Sequence, residues 1–131
     1  MRHTYVFEMG KTNNVSRPFS PAGEVFVVGF NMRGLEYTKN PDGTLGEIHD
    51  CDYVIFERLL YDGVYDVTKC DGISEQGIIA AVPVKDHCGN IVKLNHCNNT
   101  LWITEPGIYR AVYHGDGRPD AAVVYYNSNG K

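Results

Sequence analysis

The sequence predicts an all-β protein built as an antiparallel β-sandwich. Short apolar or alternating runs recur about every ten residues, and each is bounded by Gly, Asn, Asp or Pro, which is the spacing typical of sandwiches and barrels. The composition agrees, because 14 Gly and 9 Tyr accompany few runs of Ala, Leu, Glu and Lys, and this balance favours strands over helices. Two turn signals indicate hairpins.

The bounded apolar runs are predicted as strands in chain order. They are Thr4–Met9, Glu24–Phe30, Leu35–Lys39, Thr44–Ile48, Tyr53–Leu60, Val64–Lys69, Ile78–Lys85, Ile91–Leu94, Thr100–Thr104, Ile108–His114 and Ala121–Tyr126. The run "YVIFERLL" is also the best helix candidate, since Val54, Leu59 and Leu60 could share a helix face. Its aromatic and β-branched residues favour a strand.

Two hairpins are predicted from their turns. In "KNPDGT", Pro41 and Asp42 suit the centre of a type I turn, and Gly43 suits the left-handed position that follows. The second hairpin is predicted to join the strands "IYRAVYH" and "AAVVYY" through "HGDGRPD". In this loop Gly115 and Gly117 permit positive φ, so its charged residues need no catalytic explanation.

The two strands of the second hairpin differ in pattern. The first alternates, with Tyr109, Ala111 and Tyr113 on one side. The second, Ala121–Tyr126, is apolar on both faces, which predicts that it lies inside a packed sheet or under a contact between subunits.

The segment Gly10–Gly23 has no periodicity and contains two Pro. It is predicted to be an arm or crossing loop instead of a packed element, and such an arm could wrap a neighbouring subunit. We therefore expect residues 1–23 to form a strand and an extended arm, and residues 24–131 to form a single domain.

Composition and charge exclude several classes of function. At 131 residues the chain fits one domain, and its scattered 12 basic and 16 acidic residues, with a net charge of −4, argue against nucleic-acid and membrane partners. The start "MRHTYVFEMG" has no apolar core for a signal peptide, and no run approaches the length of a membrane span. We expect synthesis in the cytoplasm and four free thiols.

A metal site is the sharpest chemical alternative. The candidate ligands are His49, Cys51, His87, Cys88, His96 and Cys97. His49 and Cys51 would share a strand face, and "DHC" and "NHC" could converge in turns. Because eight residues lie between Cys88 and Cys97, instead of the two to four of common zinc sites, ordinary thiols and turn histidines are favoured, and we expect no metal or other cofactor.

A disulfide between Cys88 and Cys97 is hard to build if Ile91–Leu94 is a straight strand, because nine extended residues would separate its ends by about 30 Å. Pairing of Cys51 or Cys70 with a distant Cys stays open.

Catalytic patterns are absent from the sequence. No segment shows a nucleophile elbow, a glycine-rich phosphate loop or paired carboxylates at a diagnostic interval. Asp62, Asp66 and Asp71 lack the spacing of a calcium loop. The sequence therefore predicts a protein that is not an enzyme.

Aromatic residues concentrate near the end of the chain. They are Trp102, Tyr109, Tyr113, Tyr125 and Tyr126. Packing in a core or interface is the commoner use of such rings, and a platform that stacks on sugars is the alternative. If some are exposed, the candidates for contact are Trp102, Tyr113, Tyr125 and Tyr126.

The stretch "EPGIYRAVY" resembles the acidic-x-Gly-x-Tyr corner of immunoglobulin-like sandwiches, with Glu105, Gly107 and Tyr109 at the matching positions. The resemblance covers about the last quarter of the chain. It implies that Glu105 and Gly107 shape the turn and that the Tyr109 hydroxyl bonds backward to the backbone. The predicted sandwich is thus either immunoglobulin-like or jelly-roll-like.

A short all-β chain with a polar arm and a final hairpin, "TLWITEPGIYRAVYHG", resembles the small accessory structural proteins of tailed-bacteriophage virions. The resemblance implies a protein of the virion that decorates the capsid or adapts tail and head parts by binding itself and other virion proteins. It carries over no site residues. The second interpretation is a β-sandwich binding module, for example for carbohydrate. The third is a zinc-stabilised domain or small enzyme.

Overall fold

The computed structural model describes residues 4–10, 14–28, 35–50, 53–63, 73–95, 98–114 and 121–128, and none of these residues is helical. All of the strand pairs are antiparallel. The strands are β1 (Thr4–Gly10), β2 (Pro21–Val28), β3 (Leu35–Lys39), β4 (Leu45–Asp50), β5 (Tyr53–Tyr61), β6 (Ile78–Pro83), β7 (Thr100–Ile103), β8 (Ile108–His114) and β9 (Ala121–Ser128). The predicted all-β, antiparallel class is confirmed, and most strand ends fall within three residues of their predicted positions.

One sheet, which we call sheet A, has four strands in the order β1-β9-β2-β7. Strand β9 lies in its interior, between β1 and β2, and this position explains why β9 is apolar on both faces. Ala122, Val124 and Tyr126 point into the core and are fully buried, while Val123 and Tyr125 lie on the other face and are half-buried.

The second sheet, sheet B, has the order β6-β5-β8, and residues 14–19 run along the free edge of β8. Phe19 N donates to Tyr109 O at 2.9 Å, and Tyr109 N donates back to Phe19 O at 2.8 Å. Phe19 is fully buried, and its ring lies 4.4 Å from that of Tyr126 and 6.1 Å from that of Phe56.

The predicted unpacked arm is therefore wrong for residues 14–20. The segment packs without apolar alternation because the buried Phe19 ring anchors it. The Ser16 hydroxyl accepts a hydrogen bond from Ala111 N, which a backbone carbonyl would accept in regular strand pairing. Strand β2 already begins at Pro21, so the expected division between residues 23 and 24 falls inside a strand.

Both sheets contribute to one apolar core. Sheet A supplies Val25, Val27, Ile103, Ala122, Val124 and Tyr126, and sheet B with its flanking segments supplies Phe19, Val54, Phe56, Leu94, Tyr109, Ala111 and Tyr113. The alternation predicted for β8 is confirmed, because Tyr109, Ala111 and Tyr113 are the residues of that strand that enter this core.

The predicted hairpin between β8 and β9 is wrong. Strand β8 pairs with β5, whereas β9 pairs with β1 and β2 in the other sheet. The chain must cross between sheets because the second edge of β8 is already occupied by residues 14–19. The loop 115–120 lies outside the described residues, as does the predicted strand Val64–Lys69.

The predicted β3–β4 hairpin is confirmed. Gly43 N donates to Asn40 O at 2.9 Å, Asn40 N donates to Thr44 O at 2.8 Å, and Gly43 has a φ of 87°. The left-handed position is the reason that glycine is required there.

A second turn of the same geometry was not predicted. Gly89 N donates to Asp86 O at 3.0 Å, Asp86 N donates to Asn90 O at 2.8 Å, and Gly89 has a φ of 85°. We call residues 84–92 the edge hairpin. The predicted strand Ile91–Leu94 is replaced by single bridges, since Ile91 pairs back with Lys85 across this turn.

Candidate functional site

A groove of about 560 Å³ opens between the two sheets, at the side where β7 ends sheet A and β6 ends sheet B. The edge hairpin forms part of its wall. The branched aliphatic residues that line the groove are Leu60, Val82, Val84, Val92, Leu101 and Ile103. This volume falls within the range of small-molecule and side-chain pockets.

Two aliphatic residues that line the groove are exposed. Leu60 is 37% exposed and Val82 is 46% exposed. Both lie on the face of sheet B that carries Phe56 and Tyr109, because Leu60 pairs with Ala80, and Arg58 pairs with both Val82 and Tyr109. The inner face of the sheet thus continues past the closed core and into the open groove.

Charged side chains form the rim of the groove, and Arg58 and Glu105 are joined across it. Arg58 Nη1 donates to Glu105 Oε1 at 2.6 Å, and Arg58 Nη2 lies 3.4 Å from Pro106 O. The Arg58 Nε is buried and has no hydrogen-bond partner among the described residues. It lies against Gly107, where a Cβ would be 2.9 Å from it.

The residues of the predicted corner meet at the end of the groove. The Tyr109 hydroxyl donates to Glu105 O at 2.6 Å, which is the backward bond that the resemblance implies. Tyr109 is 2% exposed and Gly107 is buried, so this cluster fixes the turn before β8. Its position and bonds are those of a structural element.

The aromatic residues separate into two groups. Tyr113 and Tyr126 are buried in the core, so their predicted role as surface contacts is wrong; alternation along β8 and β9 turns them inward. Trp102 is 65% exposed, and Tyr125 is half-buried with its ring stacked on that of Phe26 at a centroid distance of 5.1 Å and an angle of 12°. We call Phe26, Trp102 and Tyr125 the aromatic face.

The candidate metal ligands are only partly described. His87 and Cys88 are exposed at the tip of the edge hairpin, and Cys88 is a free thiol. Asp86 Oδ1 accepts bonds from Cys88 N and Asn90 N, both at 2.9 Å, so the motif "DHC" is explained as a turn. Among the described residues, no group of three or more His, Cys, Asp or Glu is placed to hold a metal ion.

The remaining candidate metal ligands do not complete a metal site among the described residues. His49 lies opposite Glu36 in the β3–β4 ladder, and Cys51, His96 and Cys97 lie outside the described residues, as does Cys70.

Other titratable groups are engaged in packing or local turns. The ring of His114 stacks on that of Tyr53 at 4.8 Å, and the Lys93 ammonium lies 4.8 Å from the same Tyr53 ring. Arg110 donates to Glu57 at 2.8 Å across sheet B. The Thr44 hydroxyl and amide, which donate to the carboxylate, lower the pKa of Asp42.

The groove residues and Phe26 were missed by sequence reasoning. Leu60 and Val82 match the apolar pattern of any strand, and their exposure follows from how the sheets end. For Phe26, alternation along β2 was a usable signal, because Val25 and Val27 on either side are the buried pair.

Within the described residues, the structure has no helix of the length and apolar character needed to span a membrane. No protein-family model, curated protein or solved structure matches the chain.

Proposed function

We propose that this chain is a non-enzymatic β-sandwich domain of the jelly-roll type and that it serves as a structural component of a virion. The strand order supports the jelly roll. The first strand of sheet A lies beside the last strand of the chain, and with residues 14–19 counted at its edge, sheet B becomes a second four-membered layer. Jelly rolls include viral coat and lectin domains, which is support at the level of fold alone.

The groove is the proposed contact surface, and its occupant is an extended segment of a partner virion protein. Among the described residues, β7 pairs with β2 alone. Val27 N donates to Asn99 O at 2.9 Å, and in an antiparallel ladder such pairs recur at every second residue. The backbone groups of Trp102 therefore face the open edge, where an added strand would find them.

The observation that carries this proposal is the apolar groove beside an unpaired strand edge. A strand added to β7 would place alternate side chains in the groove, beside Leu101 and opposite Val82, and these would remove exposed apolar surface from water. Self-association stays a prediction. Residues 14–20 and strand β9 no longer support it, because both are packed within the domain, and the groove is the surface that supports it instead.

The test compares two substitutions on the same strand. Val82→Glu places a charge in the groove, whereas Ile79→Glu places one on a residue that is 68% exposed and does not line the groove. We expect Val82→Glu to abolish incorporation of the chain into particles and any self-association seen by sedimentation, with Ile79→Glu unchanged. Equal incorporation of both variants would contradict the groove, and absence of the wild-type chain from purified particles would contradict the virion role.

A further inference from the structure

The outer face of sheet A carries three aromatic side chains, of which Trp102 is exposed and Phe26 and Tyr125 are half-buried. Phe26 pairs with Tyr125 on one side and with Thr100 on the other, and Glu24 pairs with Trp102. Paired residues share a face of a sheet, so the three rings of the aromatic face project from the same side as Glu24 and Thr100. The opposite side carries the core residues Val25 and Val27.

Trp102 is supported from beneath by a residue without a side chain. A Cβ on Gly23 would lie 3.4 Å from two carbons of the six-membered ring, so the indole rests over the bare backbone of β2. Gly23 also has a φ of 79°, which disfavours other residues at this position. The indole is thereby held against the sheet, while 65% of the residue stays exposed.

Core packing does not account for this placement. Trp102 and Tyr125 lie two strands apart across β2, which corresponds to roughly 10 Å, and they are also offset by two residues, roughly 7 Å, along the strands. Phe26 stacks on Tyr125 at one end of this interval. The face thus offers two aromatic contact points, Trp102 and the Phe26–Tyr125 stack. Glu24 and Thr100 are exposed beside the rings and can exchange hydrogen bonds with hydroxyl groups.

We infer that the aromatic face binds a neutral oligosaccharide whose sugar rings present flat C–H faces, such as a β-linked glucan. Such faces are apolar and pack on aromatic rings, while the hydroxyl groups around the ring edge bind neighbouring polar side chains. Among the side chains described on this face, Glu24 alone carries a charge. Its carboxylate repels acidic sugars, so a neutral ligand is the matching class.

This site is distinct from the groove that the proposed function uses. The aromatic face is the solvent side of sheet A, whereas Leu60 and Val82 line the space between the sheets. Trp102 touches both regions, so the experiment relies on Tyr125 and Val82 to separate them.

The probe is the hexasaccharide of β-1,4-linked glucose, compared with the acidic hexasaccharide of galacturonic acid. The chain has one Trp, so its intrinsic fluorescence reports on the site directly. We expect a saturable change of Trp102 fluorescence with the glucan and affinity for the acidic sugar at least about tenfold weaker. No change at millimolar glucan, or equal affinity for both sugars, would overturn the inference.

Variants are measured by calorimetry, because some lack the fluorophore. Trp102→Ala and Tyr125→Ser should each weaken glucan binding about tenfold or more, and Trp102→Phe should restore part of the loss because it retains a ring. Ile91→Ala, an exposed apolar residue of the edge hairpin, is the matched control and should bind as the wild type does. Equal weakening by Ile91→Ala would count against the site.

The two proposals fail separately. If Val82→Glu prevents incorporation into particles but binds glucan normally, the groove proposal and the sugar proposal both stand. If the wild-type chain is incorporated into particles but does not bind glucan, the sugar inference alone is wrong. Protection of Trp102 by a particle protein, without glucan binding, would assign the aromatic face to a protein contact and would also overturn it.

Discussion

Arg58 occupies the space that a side chain at position 107 would need. Its Nε lies 2.9 Å from where a Cβ on Gly107 would be, so the Arg58 side chain would have to shift if residue 107 carried a Cβ. Gly107 lacks a positive φ, so glycine is favoured here by its neighbour Arg58 and not by its backbone conformation. The Arg58 guanidinium in turn binds Glu105 and reaches Pro106, so one side chain contacts all three residues 105–107.

Gly107→Ala should destabilise the protein by at most about 1 kcal/mol, because the end of the flexible Arg58 side chain must shift to make room. The cost should nearly vanish in an Arg58→Ala background, where the space is free. Arg58→Ala alone should cost little, because the Arg58 and Glu105 side chains are 30% and 65% exposed and surface ion pairs contribute little. Urea unfolding of the four proteins gives the coupling; an equal cost of Gly107→Ala in both backgrounds would show that Arg58 is not the obstacle.

Tyr109→Phe should lower the free energy of unfolding by about 1 kcal/mol, because it removes the hydroxyl that donates to Glu105 O at 2.6 Å. The matched control is Tyr53→Phe, since the described residues provide no hydrogen bond to that hydroxyl. The control should change stability by less than about 0.5 kcal/mol. The corner has no stabilising role if the two variants unfold at the same urea concentration.

Phe19→Ala should destabilise the protein by about 3–5 kcal/mol, because a fully buried ring is removed from the centre of the core. Ser16→Ala should cost about 1–3 kcal/mol, since the buried Ala111 N–H loses its acceptor at 2.8 Å. Val15→Ala, at a residue that is 42% exposed, is the control and should stay within about 0.5 kcal/mol.

Deletion of residues 1–23 should for the same reason abolish folding. A truncated chain that melts cooperatively near the wild-type temperature would contradict the packed position of residues 14–20.

The carboxyl group of Asp42 should titrate below its ordinary pKa, because the Thr44 hydroxyl and amide donate to it at 2.6 and 3.0 Å. A lowered pKa in the folded state means that this group adds stability above the pKa of the unfolded chain, and that the contribution is lost as pH falls through the folded value. Carboxyl chemical shifts measured between pH 2 and 6 would locate the midpoint. In Thr44→Val the midpoint should rise; an unchanged midpoint would remove the hydroxyl as the main cause.

Local patterns in the sequence were sufficient wherever structure is local. Alternation identified the buried side of β8, and "NPDG" identified a turn whose left-handed Gly43 is observed. The β8–β9 hairpin failed because turn chemistry says where a chain bends but not which strand it then joins. Residues 14–19 occupy the edge of β8, and the local sequence around Gly115 contains no signal of this long-range pairing.

The site was predicted in part for a related reason. Aromatic content marked Trp102 and Tyr125 together with Tyr113 and Tyr126, but exposure depends on the face that each strand turns outward. That face is set by the pairing of β9 with β2 and of β8 with β5. The groove has no local signal at all, because it exists only where two sheets end beside each other.

The pairing of β1 with β9 joins the beginning of the described chain to its end, with Thr4 opposite Asn127. Closing a loop of nearly the full chain length is entropically costly, and folds dominated by such distant pairings fold slowly. During synthesis, β2 cannot pair with β9 or β7 until most of the chain has left the ribosome. Until then its apolar residues are exposed and can associate with other chains. Fast translation or high expression should therefore favour aggregation over folding, and a chain stopped before β9 has no route to a closed core.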